Sequence, residues 1–179
     1  MPVLKGRGNI FLVGRLGAGK TTVGKLLARR LKLRFVDSDR EIESRCGVKI
    51  PVIFEIEGEA GFRAREAAAI AALSLLEGIV LSTGGGTVLA EENRRCLAAR
   101  GIVVYLSARP EDLYQRVRHD RNRPMLAGAD PLPRLRELHG QRDRLYRDIA
   151  DIVLETGAQS VQSLARQLLD RLETEWNSA

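Results

Sequence analysis

A glycine-rich segment near the N-terminus has the composition and spacing of a phosphate-binding loop. Residues 14–21 read GRLGAGKT and match the pattern G-x-x-x-x-G-K-[ST] between an apolar run and a helical pattern. The glycines let backbone N–H groups point at phosphate oxygens, Lys20 can reach the outer phosphates, and the hydroxyl of Thr21 can ligate magnesium. The alternative is a glycine-rich turn that only caps a helix. The position between a strand and a helix favours binding of a nucleoside triphosphate.

Two carboxylates follow the second predicted strand, in the run Asp37-Ser38-Asp39. The carboxyl end of a strand is where an open α/β sheet binds its ligand. One carboxylate could support a magnesium ion while the other orients or deprotonates an attacking hydroxyl. Helix capping by Asp37 or Ser38 is the structural alternative, and it explains one aspartate better than it explains both.

Three adjacent glycines, Gly84, Gly85 and Gly86, follow the third predicted strand. Because three glycines lose much conformational entropy on folding, a close approach of the backbone to a ligand explains them better than a plain turn does. A fourth set consists of arginines that are each, taken singly, more typical of a solvated surface charge: Arg63, Arg116, Arg123 and Arg142.

The elements that must position these residues alternate between strands and helices. Apolar runs predict five short strands, at 9–14, 35–36, 79–81, 102–106 and 152–154. Helical spacing predicts helices at about 20–31, 38–46, 58–76, 91–99, 110–117, 135–146 and 160–176. Apolar strands joined by helices predict a three-layer α/β/α fold around a five-stranded parallel sheet. The polar segment 119–133 is interpreted as a mobile lid.

The composition is that of one globular domain covering residues 1–179. With 44% hydrophobic and 29% charged residues, the chain can bury a core without help. No apolar stretch reaches the roughly 20 residues of a membrane span, and residues 1–8 lack the features of a secretory leader, so a cytoplasmic protein without a membrane partner is expected. Cys46 and Cys96 have no metal-ligand spacing and are expected to be buried or inert thiols.

Basic residues outnumber acidic ones by 29 to 23, and most of them are arginine. The planar fork of arginine suits carboxylates and phosphates, so a small anionic ligand is one explanation of the surplus. Solvated surface charge with a bias toward arginine is the second explanation, and nucleic acid is the third. The 4% aromatic content offers few surfaces for base stacking, so no nucleic-acid partner is expected.

Taken in chain order, these sets resemble the shikimate kinase family over residues 9–172. The resemblance rests on the phosphate loop, the two aspartates, the glycine triplet, the run IFEIEGEAGFR at 53–63, RPML at 123–126, and Arg142 before Leu145-Tyr146. It implies a P-loop kinase that transfers the γ-phosphate of ATP to the 3-hydroxyl of shikimate, on the route to aromatic amino acids. It also implies Mg²⁺ as cofactor, shikimate and ATP as partners, and a monomer.

The resemblance implies a role for each matching position. Thr21 would ligate magnesium with support from Asp37, while Asp39, Lys20 and Arg123 would form the catalytic set. Arg63 and Arg142 would clamp the shikimate carboxylate. The residues implied in substrate binding are Asp39, Phe54, Phe62, Arg63, Gly85, Gly86 and Arg142. The residues implied in ATP binding are Gly17, Ala18, Gly19, Lys20, Thr21, Thr22, Arg116, Arg123 and Gln159.

Other proteins with a phosphate-binding loop are the alternatives. The sequence has no N-K-x-D guanine motif, which disfavours a GTPase. Its 179 residues leave no room for an added mechanical domain, which disfavours an ATP-driven motor. A gluconate kinase or a nucleoside monophosphate kinase is the nearest rival, although Arg63 and Arg142 favour an acceptor that bears a carboxylate. A nucleotide-dependent binding module is the alternative from a different class.

Overall fold

The computed structural model describes residues 8–117 and 132–178. Five strands form one sheet in which every neighbouring pair is parallel, in the order β2-β3-β1-β4-β5. The strands are short and mostly buried, as expected for a sheet covered on both faces. Their bounds are β1 Ile10–Val13, β2 Arg34–Asp37, β3 Ile79–Ser82, β4 Ile102–Ala108 and β5 Ile152–Thr156.

Seven helices connect or follow these strands in the described part of the chain, and a short 3-10 turn at Thr87–Leu89 follows β3. Their apolar residues form clusters on both faces of the sheet, one with α1 and α7 and the other with α3, α4 and α6. The three-layer α/β/α prediction is therefore confirmed. The bounds are α1 Lys20–Leu31, α2 Ser38–Cys46, α3 Ile50–Leu73, α4 Glu91–Arg100, α5 Pro110–Val117, α6 Leu132–Ile149 and α7 Val161–Ser178.

The strand order brings the chemistry-bearing loops together. Strand β1 lies at the centre of the sheet, so the loop that follows it, residues 14–19, leaves from the middle of the carboxyl edge. Strand β3 lies between β1 and β2, and its Ser82 is paired with Leu12 of β1 and with Asp37 of β2. The glycine triplet after β3 consequently lies between the phosphate loop and the two aspartates.

The third helix differs from its prediction. The sequence pattern predicts a helix from about Gly58 to Leu76, whereas α3 begins at Ile50, with a proline in its first turn, and ends at Leu73. Gly58 has φ 70° and ψ −176°, so two helical segments meet there at a kink. In a sequence, a glycine that kinks a helix cannot be distinguished from a glycine that precedes a helix.

Three further predictions bear on the rest of the chain. Cys46 and Cys96 are free thiols, each partly buried against an apolar cluster. No helix within residues 8–117 and 132–178 is long and apolar enough to cross a membrane. Most of the predicted lid lies outside the described residues, and its last two positions, 132 and 133, begin α6.

Candidate active site

The phosphate loop has backbone geometry that its glycines permit. Gly14 has φ 146°, and a Cβ atom there would lie 2.6 Å from the carbonyl oxygen of Leu106 on the neighbouring strand. Gly19 has φ 94° and precedes the first residue of α1, so the loop ends on a helix N-terminus. An anion held there would face the backbone N–H groups of the first helical turn and the positive end of the helix dipole.

Lys20 is buried, with 8% of its surface exposed. Its ammonium group donates hydrogen bonds to the carbonyl oxygens of Gly14, at 2.7 Å, and of Arg15, at 2.9 Å. Ala18 closes the same turn by donating its backbone N–H to the Arg15 carbonyl oxygen at 3.1 Å. The loop therefore curls around the ammonium group, which places a positive charge inside it.

Thr21 and Asp37 connect the phosphate loop to the end of β2. The Thr21 hydroxyl donates a hydrogen bond to Oδ2 of Asp37 at 3.1 Å. The other carboxylate oxygen accepts the backbone N–H groups of Asp39, at 3.0 Å, and Arg40, at 3.2 Å, and so caps α2. Asp37 thus both caps α2 and contacts the phosphate loop. The Asp39 side chain does neither and is available for another role.

Asp39 carries a carboxylate oxygen without a partner. Its Oδ1 is buried and accepts no hydrogen bond from the described residues. A Cβ atom on Gly84 would lie 2.8 Å from this oxygen and 3.1 Å from Oε2 of Glu66. Burial, with the charges of Asp37 and Glu66 as smaller causes, raises the pKa of Asp39 to about 6. The group is suited to exchanging or orienting a proton near neutral pH.

Arg63 is held by a buried carboxylate on its own helix. Its Nη1 donates to Oε1 of Glu66 at 2.7 Å, and Glu66 is 1% exposed. The second oxygen of Glu66 accepts the hydroxyl of Thr87 at 3.1 Å, so both carboxylate oxygens are satisfied. A Cβ atom on Gly86 would lie 2.5 Å from Nη1 of Arg63, so a larger residue there would displace the guanidinium.

The glycine triplet is also fixed from helix α6. The Tyr146 hydroxyl donates a hydrogen bond to the carbonyl oxygen of Gly85. A Cβ atom on Gly85 would lie 3.4 Å from the backbone nitrogen of Leu16 and 3.9 Å from Nη1 of Arg142. Gly85 therefore lies between the phosphate loop and the Arg142 guanidinium, and both predicted carboxylate-binding arginines border the triplet.

Two predicted aromatic residues lie beside this group. The rings of Phe54 and Phe62 stack with their centroids 4.6 Å apart, and the Arg63 guanidinium lies 5.2 Å from the Phe62 centroid. Phe62 is buried, while Phe54 is 38% exposed. The pair forms an apolar surface next to the charged group.

The structure describes only some of the remaining residues that are predicted to contact the nucleotide. Gln159 lies after β5, where its side chain accepts the N–H of Gly157 at 2.6 Å and donates to the carbonyl oxygen of Glu155 at 3.0 Å. These contacts shape its own loop. Arg123 lies outside the described residues, as does the side chain of Arg116 on α5.

Sequence reasoning missed three residues of this group: Glu66, Arg15 and Tyr146. Glu66 had a usable signal, because it lies three positions after Arg63 on a predicted helix and so shares its face. Tyr146 belongs to the residues that carry the family resemblance, but the sequence assigns it no role. Arg15 occupies a variable position of the phosphate-loop pattern, and nothing in the sequence indicates that its side chain is 4% exposed.

The phosphate loop, the unpartnered carboxylate and the two arginines described above agree with the results of comparison with known proteins. The family model described as Shikimate kinase matches residues 16–173. A shikimate kinase of Cupriavidus pinatubonensis is 60% identical over 168 residues, covering 94% of this chain and 88% of the relative. The structure of the shikimate kinase from Acinetobacter baumannii in complex with shikimate aligns with a TM-score of 0.91 and 45% identity over 96% of each chain.

A gluconokinase from Sinorhizobium meliloti 1021 bears on the predicted rival. It aligns with a TM-score of 0.57 over 96% of this chain and 95% of its own, but only 16% of the aligned residues are identical. That likeness shows the fold alone. The family match and the relatives at 45% and 60% identity decide the assignment, and the chain belongs to the shikimate kinase family.

Proposed function

We propose that this chain transfers the γ-phosphate of ATP to the 3-hydroxyl of shikimate, giving shikimate 3-phosphate and ADP. The observation that carries the proposal is the placement of the Asp39 carboxylate beside the glycine triplet. Its unpartnered oxygen lies next to Gly84, and the other two glycines of the triplet lie next to Arg142 and Arg63. Family membership supports the same reaction.

The phosphate loop binds the donor. Backbone N–H groups of residues 17–22 and the N-terminus of α1 hold the phosphate oxygens. Lys20 is already inside the loop, bonded to two carbonyl oxygens, and extends its ammonium group toward the outer phosphates when ATP is bound. Phosphoryl transfer depends mainly on positioning and charge stabilisation, which this loop supplies on the donor side.

Thr21 and Asp37 fit a magnesium site. Mg²⁺ takes oxygen ligands and is usually held by one or two protein groups together with waters and substrate phosphates. The Thr21 hydroxyl and the Asp37 carboxylate are such groups, and they are in contact at 3.1 Å beside the phosphate loop. Thr21 would ligate the ion and Asp37 would support it. When bound, Mg²⁺ neutralises charge on the phosphates.

Arg63 and Arg142 bind the acceptor through its carboxylate. Guanidinium groups pair with carboxylates through two parallel hydrogen bonds, which fixes orientation as well as position. Glu66 holds Arg63 in place through a hydrogen bond to Nη1, so the arginine is ordered before substrate binds. Backbone N–H groups of Gly85 and Gly86 complete the polar contacts, and Phe54 with Phe62 packs against the ring of the substrate.

Asp39 acts on the attacking hydroxyl. Its raised pKa and unpartnered oxygen suit it to accept a hydrogen bond from the 3-hydroxyl and to receive its proton as the bond to phosphorus forms. In that same step the hydroxyl oxygen attacks the γ-phosphorus from the side opposite the ADP leaving group. Asp39 thereby links substrate binding and proton removal in one residue.

The same proposal includes features that the resemblance implies. The resemblance implies a lid at about 119–133, which would exclude water as a competing acceptor, and Arg123 within it would stabilise charge on the transferring phosphate. Arg116 and Gln159 border the adenine. The chain functions as one kinase domain, a cytoplasmic monomer.

A coupled assay that follows ADP formation tests the activity. The purified chain is incubated with ATP and Mg²⁺ alone, then with shikimate, gluconate or a nucleoside monophosphate as acceptor. ADP formation that depends on shikimate is expected. Turnover with gluconate or a nucleotide, and none with shikimate, would overturn the proposal.

A further inference from the structure

Arg15 is a phosphate-loop residue whose side chain turns into the protein. It follows Gly14 and is only 4% exposed, although its position in the loop pattern accepts any residue. Its Nη1 donates to the carbonyl oxygen of Leu135 on α6 at 3.3 Å, which is a long hydrogen bond. Its Nε is buried and has no hydrogen-bond partner in the described residues. The guanidinium is therefore buried with part of its hydrogen-bonding capacity unused.

Three guanidinium groups converge near the Tyr146 hydroxyl. Burial raises the pKa of Tyr146 to about 12, and the positive charges of Arg142, Arg15 and Arg63 oppose that rise. Within residues 8–117 and 132–178, Arg63 is the member of this trio that forms ion pairs, with Glu66 and Glu59. The cluster therefore has more positive than negative charge, and a buried charge without a partner is costly.

The positive charge of Arg142 also acts on Arg15. Burial lowers the pKa of the Arg15 guanidinium, and the neighbouring charge of Arg142 lowers it further, while Tyr146 acts in the opposite direction. An anion bound between Arg15 and Arg142 would offset the repulsion between the two guanidinium groups. It would also accept the hydrogen bond for which Nε of Arg15 has no partner among the described residues. The structure thus favours an anionic ligand group at this point.

The position of Arg15 identifies which anion this is. Lys20 occupies the interior of the phosphate loop, where the ATP phosphates bind. Arg15 instead points at α6, toward the helix that carries Arg142 and Tyr146, which both border Gly85. That is the acceptor side of the site, where the anionic group of shikimate is its carboxylate.

We propose that Arg15 is a further substrate-binding residue, which together with Arg142 binds the carboxylate of the acceptor. This inference rests on the proposed function, because it requires an acceptor with a carboxylate. It adds a third arginine to the two that the family resemblance implies, and it assigns that arginine to a loop that otherwise serves the nucleotide.

Steady-state kinetics of Arg15→Met test the inference. Methionine keeps an unbranched, largely apolar chain for the buried position and removes the charge. Loss of a charge-assisted hydrogen bond is expected to raise the KM for shikimate about tenfold or more, while the KM for ATP stays within about twofold. Arg15→Lys should give a smaller increase, because it keeps the charge without the fork. The matched control is Arg95→Met, an arginine with 77% side-chain exposure on α4, which should change neither constant.

The preference for shikimate over methyl shikimate is a second measurement, and it would not change if Arg15 had only a structural role. The wild-type chain should prefer shikimate to this uncharged ester, and Arg15→Met should reduce that preference. A higher KM for ATP with an unchanged KM for shikimate would assign Arg15 to the nucleotide and overturn the inference. A lower melting temperature with both constants unchanged would also overturn it. A wild-type chain that does not use shikimate would instead overturn the proposed function together with this inference.

Discussion

The Tyr146 hydroxyl donates a hydrogen bond to the carbonyl oxygen of Gly85, although the two residues lie 61 positions apart. Tyr146 is fully buried, and its ring stacks on Tyr105 with the centroids 4.8 Å apart. Tyr105 in turn donates to Oδ1 of Asp143 at 2.9 Å. Helix α6 thus fixes the glycine turn that the proposed function assigns to acceptor binding.

Tyr146→Phe removes this hydrogen bond while keeping the stacked ring. The partly buried Gly85 carbonyl oxygen loses its partner, which should reduce the free energy of unfolding by about 1 kcal/mol. Because the glycine turn is released, the KM for shikimate should rise more than the KM for ATP. Urea denaturation and steady-state kinetics measure the two effects.

Tyr105→Phe is the matched control for that variant. It removes a hydroxyl from the other ring of the stack but leaves the bond between Tyr146 and Gly85 intact. We expect a loss of stability with little change in the KM for shikimate. Equal increases of this KM in both variants would contradict a specific task for Tyr146.

Arg63→Lys should weaken shikimate binding. A lysine cannot keep the contact with Glu66 and at the same time present a planar pair of donors to a carboxylate. A charge-assisted hydrogen bond contributes about 1.5–3 kcal/mol, so the KM for shikimate should rise by about tenfold or more. An unchanged KM would count against the carboxylate clamp.

Asp39→Asn should abolish turnover while ATP still binds. The amide keeps the size of the side chain but cannot take a proton from the 3-hydroxyl. Lys20, Thr21 and Asp37 are untouched, so the nucleotide site should stay intact. Calorimetric titration with ADP and Mg²⁺ checks binding, and the coupled assay checks turnover. Full activity would remove Asp39 from the mechanism.

The raised pKa of Asp39 predicts a pH dependence of activity. Its pKa of about 6 lies above the ordinary 3.8, so the carboxylate gains a proton in the folded chain as the pH falls through 6. If the ionised form is needed, kcat/KM for shikimate should fall about tenfold per pH unit below that value. A flat profile between pH 5 and 7 would show that Asp39 is not the titrating group in the reaction.

Stability tests the same pKa without catalysis. A raised folded-state pKa means that Asp39 stabilises the fold when protonated and that this contribution is lost as the pH rises through 6. Asp39→Asn lacks the ionised form, so in the presence of a metal chelator its free energy of unfolding relative to that of the wild-type chain should rise between pH 4 and 7, by on the order of 1–2 kcal/mol after solvent screening, and level off above pH 7. A constant difference across that range would disprove the shift.

Local patterns predicted much of this molecule. The five strands, the loop after β1 and the start of α2 at Ser38 follow from apolar runs, glycines and capping residues close together in the sequence. The kink at Gly58 was not predicted, because the packing on both sides of the glycine decides whether it bends or begins a helix. The burial of Arg15 also depends on α6, which is more than a hundred residues away.

The nature of the product tests the central claim most directly. The wild-type chain is incubated with ATP, Mg²⁺ and shikimate, and phosphorus and proton NMR identify the phosphorylated position. One shikimate 3-phosphate is expected for each ADP formed, with no product when shikimate is omitted. Phosphate attached at another hydroxyl, or ADP formed with release of inorganic phosphate alone, would contradict the proposed placement of the 3-hydroxyl against Asp39.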